Sequence, residues 1–588
     1  MRDFANQCID MAQVILSHHL PSIQENGHIL PLEGDATFAE EAGHAAFALG
    51  EYYRATQQVK MGKQDLIQLA AQLIAAQFEQ KTPSAGIAYA ALGLLSFGPS
   101  QDRNLVWLQL DDAVRQSIRA QLSPAPASNE ASLTPYELSI EIAKSVARHS
   151  LGLVGKDDTS HLIDRFLNAI QSSSTGGYCD DGKGEMGVYD ISGVFSFILI
   201  RQSLQLHANV LLKDRKLPAL RTFAEKYLKL IPDMVREDGL GWAYGRGIGA
   251  YGQMHCISLV LQGMRDGWVP ESQKGAYLDA IRRLFQYFFI TYLDQEHGFL
   301  VIQDAERNSW SEHSIRMASF DAARYLAQWS RLAKSIGDVG EPLVLPSKPV
   351  ARYVCFTKTS RKEHGLFVYK DPVSGLEFQL PLTGSGTRGI SDSLAFPHAP
   401  GILDWPVGTY LPAFVPELTF GEHVVVPCFY GMNCTTRLGL RNAFIFSYDQ
   451  PELITKDEAI VPGLGSCKVN WSFQGGKFSG EFAFMVKSVV ELTSLRYAIP
   501  LSAPHSVYGG AVQVFLGEES LRANVEQDDF QSTWEDLHVV SEDPAYRTYN
   551  GKIHYLQILS RQHPLVMRPG QVYKLKMSFE PHLLKAGA

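Results

Sequence analysis

The residues best equipped for chemistry in this chain lie between Asp238 and His255, in the run DGLGWAYGRGIGAYGQMH. There Trp242, Tyr244, Arg246, Tyr251 and His255 are interleaved with glycines, which reach backbone conformations closed to other residues. Side chains set between such glycines can be thrown into a cavity instead of against a core. Phenols and an imidazole move protons, and a guanidinium neutralises a carboxylate, so the set suits a carboxylated or hydroxyl-rich ligand. A tyrosine works as a proton carrier when a nearby cation lowers its pKa toward the working pH. Arg246, two residues from Tyr244 and five from Tyr251, is placed to supply that field. His255 follows Tyr251 by one helical turn and shares its face. It is a candidate carboxylate neutraliser, with a core histidine bonded to a carbonyl as the alternative.

The same run contains Gly247-Ile-Gly249-Ala-Tyr-Gly252, which spells a dinucleotide-binding fingerprint. That motif needs a buried strand before it and a βαβ unit around it. Upstream, Leu220, Phe223, Tyr227, Leu230, Ile231 and Met234 recur at helical spacing instead, so nucleotide binding is not expected. Two carboxylate groups also stand out, Asp180, Asp181 and Glu185 in one and Glu237 with Asp238 in the other. Paired carboxylates are what glycoside hydrolysis requires. Glu41-Ala-Gly-His44 has the Glu-x-x-His spacing of di-metal helical sites, but one copy reads as an ordinary helix face. Seven scattered cysteines form no paired metal-binding spacing and are expected to be reduced thiols.

The elements that must position these groups change character along the chain. As far as residue 336 the pattern is helical, with apolar faces such as Phe4, Cys8, Met11 and Ile15, then Leu66, Leu69, Leu73 and Ile74, then Leu278, Ile281, Leu284, Phe285 and Phe288. Residues 337–350 carry three prolines and are expected to form an extended connection. From residue 351 to 588 the period becomes two: Tyr573, Leu575, Met577 and Phe579 alternate with Lys574, Lys576 and Ser578. Similar runs occur at 481–486, 511–516 and 552–559. A multidomain chain is therefore expected, a helical domain at 1–336 followed by stacked antiparallel sheets.

Composition narrows the partners. The chain has 588 residues, too many for one core, of which 45% are hydrophobic and 20% charged, with a net charge of −9. There is no basic block to track phosphates, so nucleic acid is not an expected partner. The apolar runs are shorter than a membrane span. The first residues carry no apolar stretch typical of a secretory signal, so a cytoplasmic location is expected, or a secreted or periplasmic one if a leader has been removed.

The order of a helical half and a β half, with the stretches 128–136, 177–190 and 242–255, resembles polysaccharide lyases of the chondroitin AC, alginate and heparinase types. The resemblance implies an incomplete (α/α) toroid followed by an antiparallel β-sandwich. It also implies a substrate, an acidic oligosaccharide or polysaccharide, that is cut beside a uronic acid by β-elimination. In such chemistry the carboxylate is neutralised, a tyrosine or histidine removes the proton on the adjacent carbon, and a tyrosine protonates the departing oxygen. Carried onto this sequence, Asn129 matches the carboxylate-binding asparagine, with a cap or turn role as the alternative. Tyr251 comes first and Tyr244 second as acid or base, beside Arg246 and His255. Trp242, Tyr189, Asp190 and Asp181 are implied as ligand contacts, although Asp190 could equally cap a helix starting at Ile191. His398 and Trp405, in a loop with Asp392, are implied contacts from the sandwich. No cofactor is required by this reading, and a structural metal is allowed for without assignable ligands. A helical-toroid glycoside hydrolase and a non-catalytic carbohydrate-binding protein are the alternatives.

Overall fold

A computed structural model of the chain describes residues 1–79, 84–124, 133–154, 157–173, 187–207, 210–242, 244, 249–302, 313–343, 348–384 and 414–501. Beyond these it describes the strand segments between 505 and 583. Among the described residues the helical half contains α1 (Arg2–His19), α2 (Glu41–Thr56), α3 (Leu66–Glu79), α4 (Ser84–Ser96), α5 (Asp112–Gln121) and α6 (Pro135–Ser150). It continues with α7 (Thr159–Ser173), α8 (Val194–Leu206), α9 (Val210–Met234), α10 (Ala250–Arg265), α11 (Lys274–Thr291) and α12 (Ile315–Ile336).

Every second helix lies inside. α2, α4, α6, α8, α10 and α12 each pack on the next, and α12 packs back on α2. The others clothe this ring: α1 lies on α12, α3 on α2 and α4, α7 on α6, α9 between α8 and α10, and α11 on α10. The circuit is thinnest between α8 and α10, so the toroid is least complete there. Sequence composition explains the two layers. Inner helices are buried on all sides, α10 without a break from Ala250 to Met264, and a helix that is apolar all round belongs inside. The outer α1 buries Cys8, Met11 and Ile15, and its Phe4 meets Phe285 of α11 edge to face at 4.8 Å.

The inner helices also run parallel, as paired contacts near both ends show. Gly43 and Gly50 of α2 meet Gly86 and Gly93 of α4 in the same order, so closely that a Cβ at Gly93 would sit 2.6 Å from the Ala46 carbonyl. Glu41 accepts from Ser314, and Glu51 from Arg331, along α2 and α12. Phe195 and Arg201 of α8 reach His255 and Asp266 around α10. All six amino termini of the ring therefore open at one end of the toroid.

Among the described residues the β half holds three larger antiparallel sheets and two two-stranded ones. β1 (Val350–Lys358), β2 (Glu363–Lys370) and β3 (Glu377–Leu382) form one in that order. An eight-stranded sheet includes the long hairpin of β4 (Gly465–Gln474) and β5 (Lys477–Val486), and a six-stranded sheet lies beside it. β4 and β5 alternate buried and less buried residues, as expected for strands with one face in a core. β2 is buried at every position because both of its faces are covered. Phe367 stacks on Phe446 of the eight-stranded sheet at 4.3 Å, while the helical half covers the other side.

The two halves are welded through this small sheet. Phe356 of β1 stacks on Tyr189 at 5.3 Å and on Tyr227 of α9 at 5.4 Å. Lys226 donates to the Cys355 carbonyl at 2.8 Å, and Arg352 pairs with Asp233 at 3.1 Å. The six described cysteines are free thiols. Among the described residues no helix is long and apolar enough to cross a membrane.

Candidate active site at the amino-terminal end of the toroid

Where the inner helices begin, their first turns leave backbone N–H groups unsatisfied and carry the positive end of the helix dipole. Converging helix starts of this kind favour a negatively charged ligand. The polar side chains gathered along the first three turns of these helices are His44 of α2, Tyr89 of α4, Tyr251 and His255 of α10, and Asp321 and Arg324 of α12. α12 is started here by Ser314, whose hydroxyl accepts from the Met317 N–H at 3.0 Å and donates to Glu41.

Asp321 is the hub, and it is 2% exposed. Its Oδ1 lies 3.0 Å from His44 Nδ1 and accepts from Arg324 Nη2 at 2.8 Å and Nε at 3.1 Å. Its Oδ2 accepts from the Tyr251 hydroxyl at 3.0 Å. Burial by itself would push this carboxyl up, but His44 and Arg324 outweigh it and hold the group well below the usual carboxylate range. Arg324 is in turn sandwiched by rings, its guanidinium carbon 4.3 Å from the Tyr325 centroid and 5.0 Å from that of Phe47. Such stacking suits the planar, weakly hydrated guanidinium.

Tyr251 sits at the edge of this network. Burial and then Asp321 push its phenol well above the ordinary tyrosine value, with Arg324 opposing only in part. This corrects the expectation that a cation lowers that pKa. The described guanidinium nearby is Arg324, and it is spent on Asp321, while Arg246 lies outside the described residues. Tyr251 is therefore a protonated donor.

His255, one turn along α10, is 3% exposed, and neither ring nitrogen has a hydrogen-bond partner. It packs among Phe195, Tyr325 and Tyr251, with ring centroids 5.6, 6.1 and 6.4 Å away. Burial, reinforced by Arg324, depresses it to about 3, so it is a neutral imidazole near neutral pH. A buried polar group without a partner is costly, and two on one ring mark a place shaped for something else. His313, beside the Tyr251 ring at 4.9 Å, is lowered to about 4, chiefly by burial.

Other residues singled out from the sequence fall elsewhere. Tyr244 is fully enclosed and donates to the Tyr189 carbonyl at 3.0 Å, so its hydroxyl is committed to the backbone and not to proton transfer. Trp242 is wedged between Tyr227 at 5.6 Å and Tyr244 at 5.3 Å. Tyr189 stacks on Phe356 of the β half, so these rings form a buried aromatic wall that reaches the junction between the halves. Asp190 caps the short helix Ile191–Gly193, accepting from the Gly193 N–H at 3.2 Å, so the capping alternative is the one the geometry realises. Asp238 pairs with Arg236 at 2.7 Å and accepts from the Leu240 N–H, a turn-forming role. Asn129, Asp180, Asp181, Glu185, Asp392, His398 and Trp405 lie outside the described residues.

Asp321 and Arg324 are the members that sequence reading missed, and His44, read there as part of an ordinary helix face, joins them. Their signal was present: Asp321-Ala-Ala-Arg324 is a charged pair at i,i+3 inside the otherwise small and apolar face of α12, and burial of such a pair needs a reason.

Three buried histidines and the half-buried His313 give the fold a pH signature. His19, His313 and His364 are lowered to about 4 and His255 to about 3, in each case first by burial. Unfolded imidazoles titrate near 6.5, so between the two values the unfolded chain binds more protons. The stability present above that window is lost as pH falls through it, at up to about 1.4 kcal/mol per pH unit for each histidine. Asp321, whose pKa is also depressed, acts in the same direction at lower pH. The thermal unfolding midpoint is expected to drop by several degrees or more between about pH 6.5 and 4.5. A flat profile across that range would contradict the buried, neutral state of these rings.

No family model and no curated protein sequence matches the chain. In structure it is similar to the heparan sulfate lyase HepC from Pedobacter heparinus, at 12% identity and a TM-score of 0.33, over 98% of this chain and 88% of that one. It is also similar to the Streptomyces coelicolor A3 chondroitin AC lyase in complex with chondroitin sulphate, at 9% identity and a TM-score of 0.46, over 98% of this chain and 79% of that one. Heparinase III is a further similar structure, at 10% identity and a TM-score of 0.31, covering 96% and 87% respectively.

Proposed function

We propose that the chain is a polysaccharide lyase that cleaves an acidic oligosaccharide or polysaccharide beside a uronic acid by β-elimination. The observation that carries this reading is His255, a buried neutral imidazole with both nitrogens unpartnered, one helical turn from a phenol held protonated by burial and by Asp321. Elimination needs one proton acceptor and one proton donor on adjacent carbons, and it needs the carboxylate neutralised. The converging helix starts supply the positive potential for that carboxylate. A bound anion beside His255 also raises the basicity of the imidazole.

In this scheme His255 takes the proton from the carbon that bears the carboxylate. The electron pair left behind forms a double bond to the next carbon, whose bond to the glycosidic oxygen breaks. That oxygen leaves as an alkoxide, a base strong enough to take the Tyr251 proton despite the raised phenol pKa. The phenolate then recovers a proton from solvent or from the imidazolium, and both groups return to their starting states.

Hydrolysis would need two carboxyl groups flanking the bond, one of them protonated, and Asp321 is held ionised by His44 and Arg324. The deciding experiment incubates the protein with a panel of uronic-acid glycans and follows ultraviolet absorbance of unsaturated sugar ends. Their appearance supports the lyase reading. Saturated products carrying solvent oxygen would replace it with hydrolysis, and binding without any cleavage would replace it with a carbohydrate-binding role.

A further inference from the structure

At the opposite end of the toroid, where the inner helices finish, two histidines and one aspartate from separate segments converge. His149 lies in the last turn of α6, and His207 is the residue that ends α8. Asp157 lies in the connection that leads into α7. His207 Nε2 is 3.2 Å and His149 Nε2 is 3.8 Å from the same oxygen, Asp157 Oδ2. The three donor atoms lie within 4.8 Å of one another. The two rings are nearly parallel, 5.2 Å apart at an interplanar angle of 14°.

We propose that these residues bind a divalent transition-metal ion of the zinc class, with water as the fourth ligand. Two imidazole nitrogens and one carboxylate oxygen are borderline donors suited to zinc and cobalt and poorly suited to calcium or magnesium. Ligand bonds of about 2.0–2.1 Å put neighbouring donors of a tetrahedral site roughly 3.3–3.5 Å apart, and the two measured separations bracket that value. The surroundings hold the ligands in place. Asp157 Oδ1 accepts from the Thr159 N–H at 3.0 Å, leaving Oδ2 for the site. The adjacent Asp158 is fixed by Ser145 and Arg148 of α6. The His207 side chain is fully buried, while those of His149 and Asp157 are 28% and 21% exposed, which leaves a route for an ion to enter.

The position makes this ion a tie and not a participant in turnover. His149 is thirteen residues beyond Tyr136, which opens α6 at the active-site end, so the two ends are roughly 20 Å apart at 1.5 Å per residue. The ion would pin the ends of α6 and α8 to the connection between α6 and α7, so the inference does not rest on the lyase reading.

The test uses the whole protein, stripped with a chelator and titrated with zinc or cobalt(II) chloride. One ion per chain is expected, with visible cobalt absorption of a four-coordinate nitrogen–oxygen site and a rise of several degrees in the unfolding midpoint on adding zinc. His149→Gln and Asp157→Asn, both at partly exposed positions, should each weaken binding at least tenfold while circular dichroism stays unchanged. Failure of the folded wild-type chain to bind either ion at micromolar concentration would overturn the proposal. Binding that both variants retain at wild-type strength would overturn it too.

Discussion

Tyr251→Phe should lower turnover by about 10²- to 10⁴-fold, the range for losing a positioned acid or base, while changing the affinity for an acidic glycan by only a few-fold. The phenol hydroxyl donates to Asp321 Oδ2 at 3.0 Å. Phenylalanine keeps the ring, which retains its contacts with His313 and His255. The fold should survive, because a single hydrogen bond to a charged group is worth about 1.5–3 kcal/mol. Tyr244→Phe is the matched control: it also removes one buried phenol hydroxyl, one that is bonded to the Tyr189 carbonyl. Its cost should appear as about 1 kcal/mol of stability with turnover unchanged. Unsaturated-product rates and binding isotherms on the two variants separate the cases. Equal turnover by wild type and Tyr251→Phe would remove Tyr251 from proton transfer.

The contrast between these two tyrosines shows how far the sequence could be read. Both stand in one glycine-rich turn, and their types and spacing gave each the same chemistry. They separate only in three dimensions, because Gly249, with φ at 92°, starts α10 and carries Tyr251 into the ring of helix starts. Tyr244, still in the turn, is committed to the Tyr189 carbonyl. The periodicity of α1, α3 and α11 was legible because a helix covering a core displays its buried face at regular spacing. The same holds for β4 and β5. β2 carries no such alternation, since a strand covered on both faces has no polar side to show.

The charged hub was hidden for a different reason. His44 and Asp321 are separated by most of the helical half and meet because α12 closes the ring on α2. No local pattern reports a closure of that kind. Glu41-Ala-Gly-His44 does stand in the site, but as a support for Ser314 and Asp321. Aromatic residues are ambiguous in the opposite direction: a wall of rings looks the same in sequence whether it lines a cavity or joins two domains, and Tyr189, stacked on Phe356, does the latter.

Asp321→Asn is expected to be the most destabilising single change in the site, costing about 3–5 kcal/mol. The amide keeps the shape and can still accept hydrogen bonds, but the charge that balances Arg324 is gone. Arg324 is 1% exposed, and a buried guanidinium left without its counter-ion bears the full desolvation penalty. Pairing the change with Arg324→Met should recover a large part of the loss, because replacing both members of a buried ion pair by groups of similar volume is often neutral. The two substitutions would therefore be strongly non-additive. Urea unfolding at neutral pH reads this as a fall in midpoint at constant slope for the single variant and a partial return for the double. A single-variant loss below about 1 kcal/mol, the scale of an exposed pair, would mean that water reaches the hub. The double variant also tests function, because it removes the carboxylate that accepts from the Tyr251 hydroxyl and sets its position. It should regain stability without regaining turnover, as expected if the carboxylate is retained to position a proton donor and not to hold the ring together.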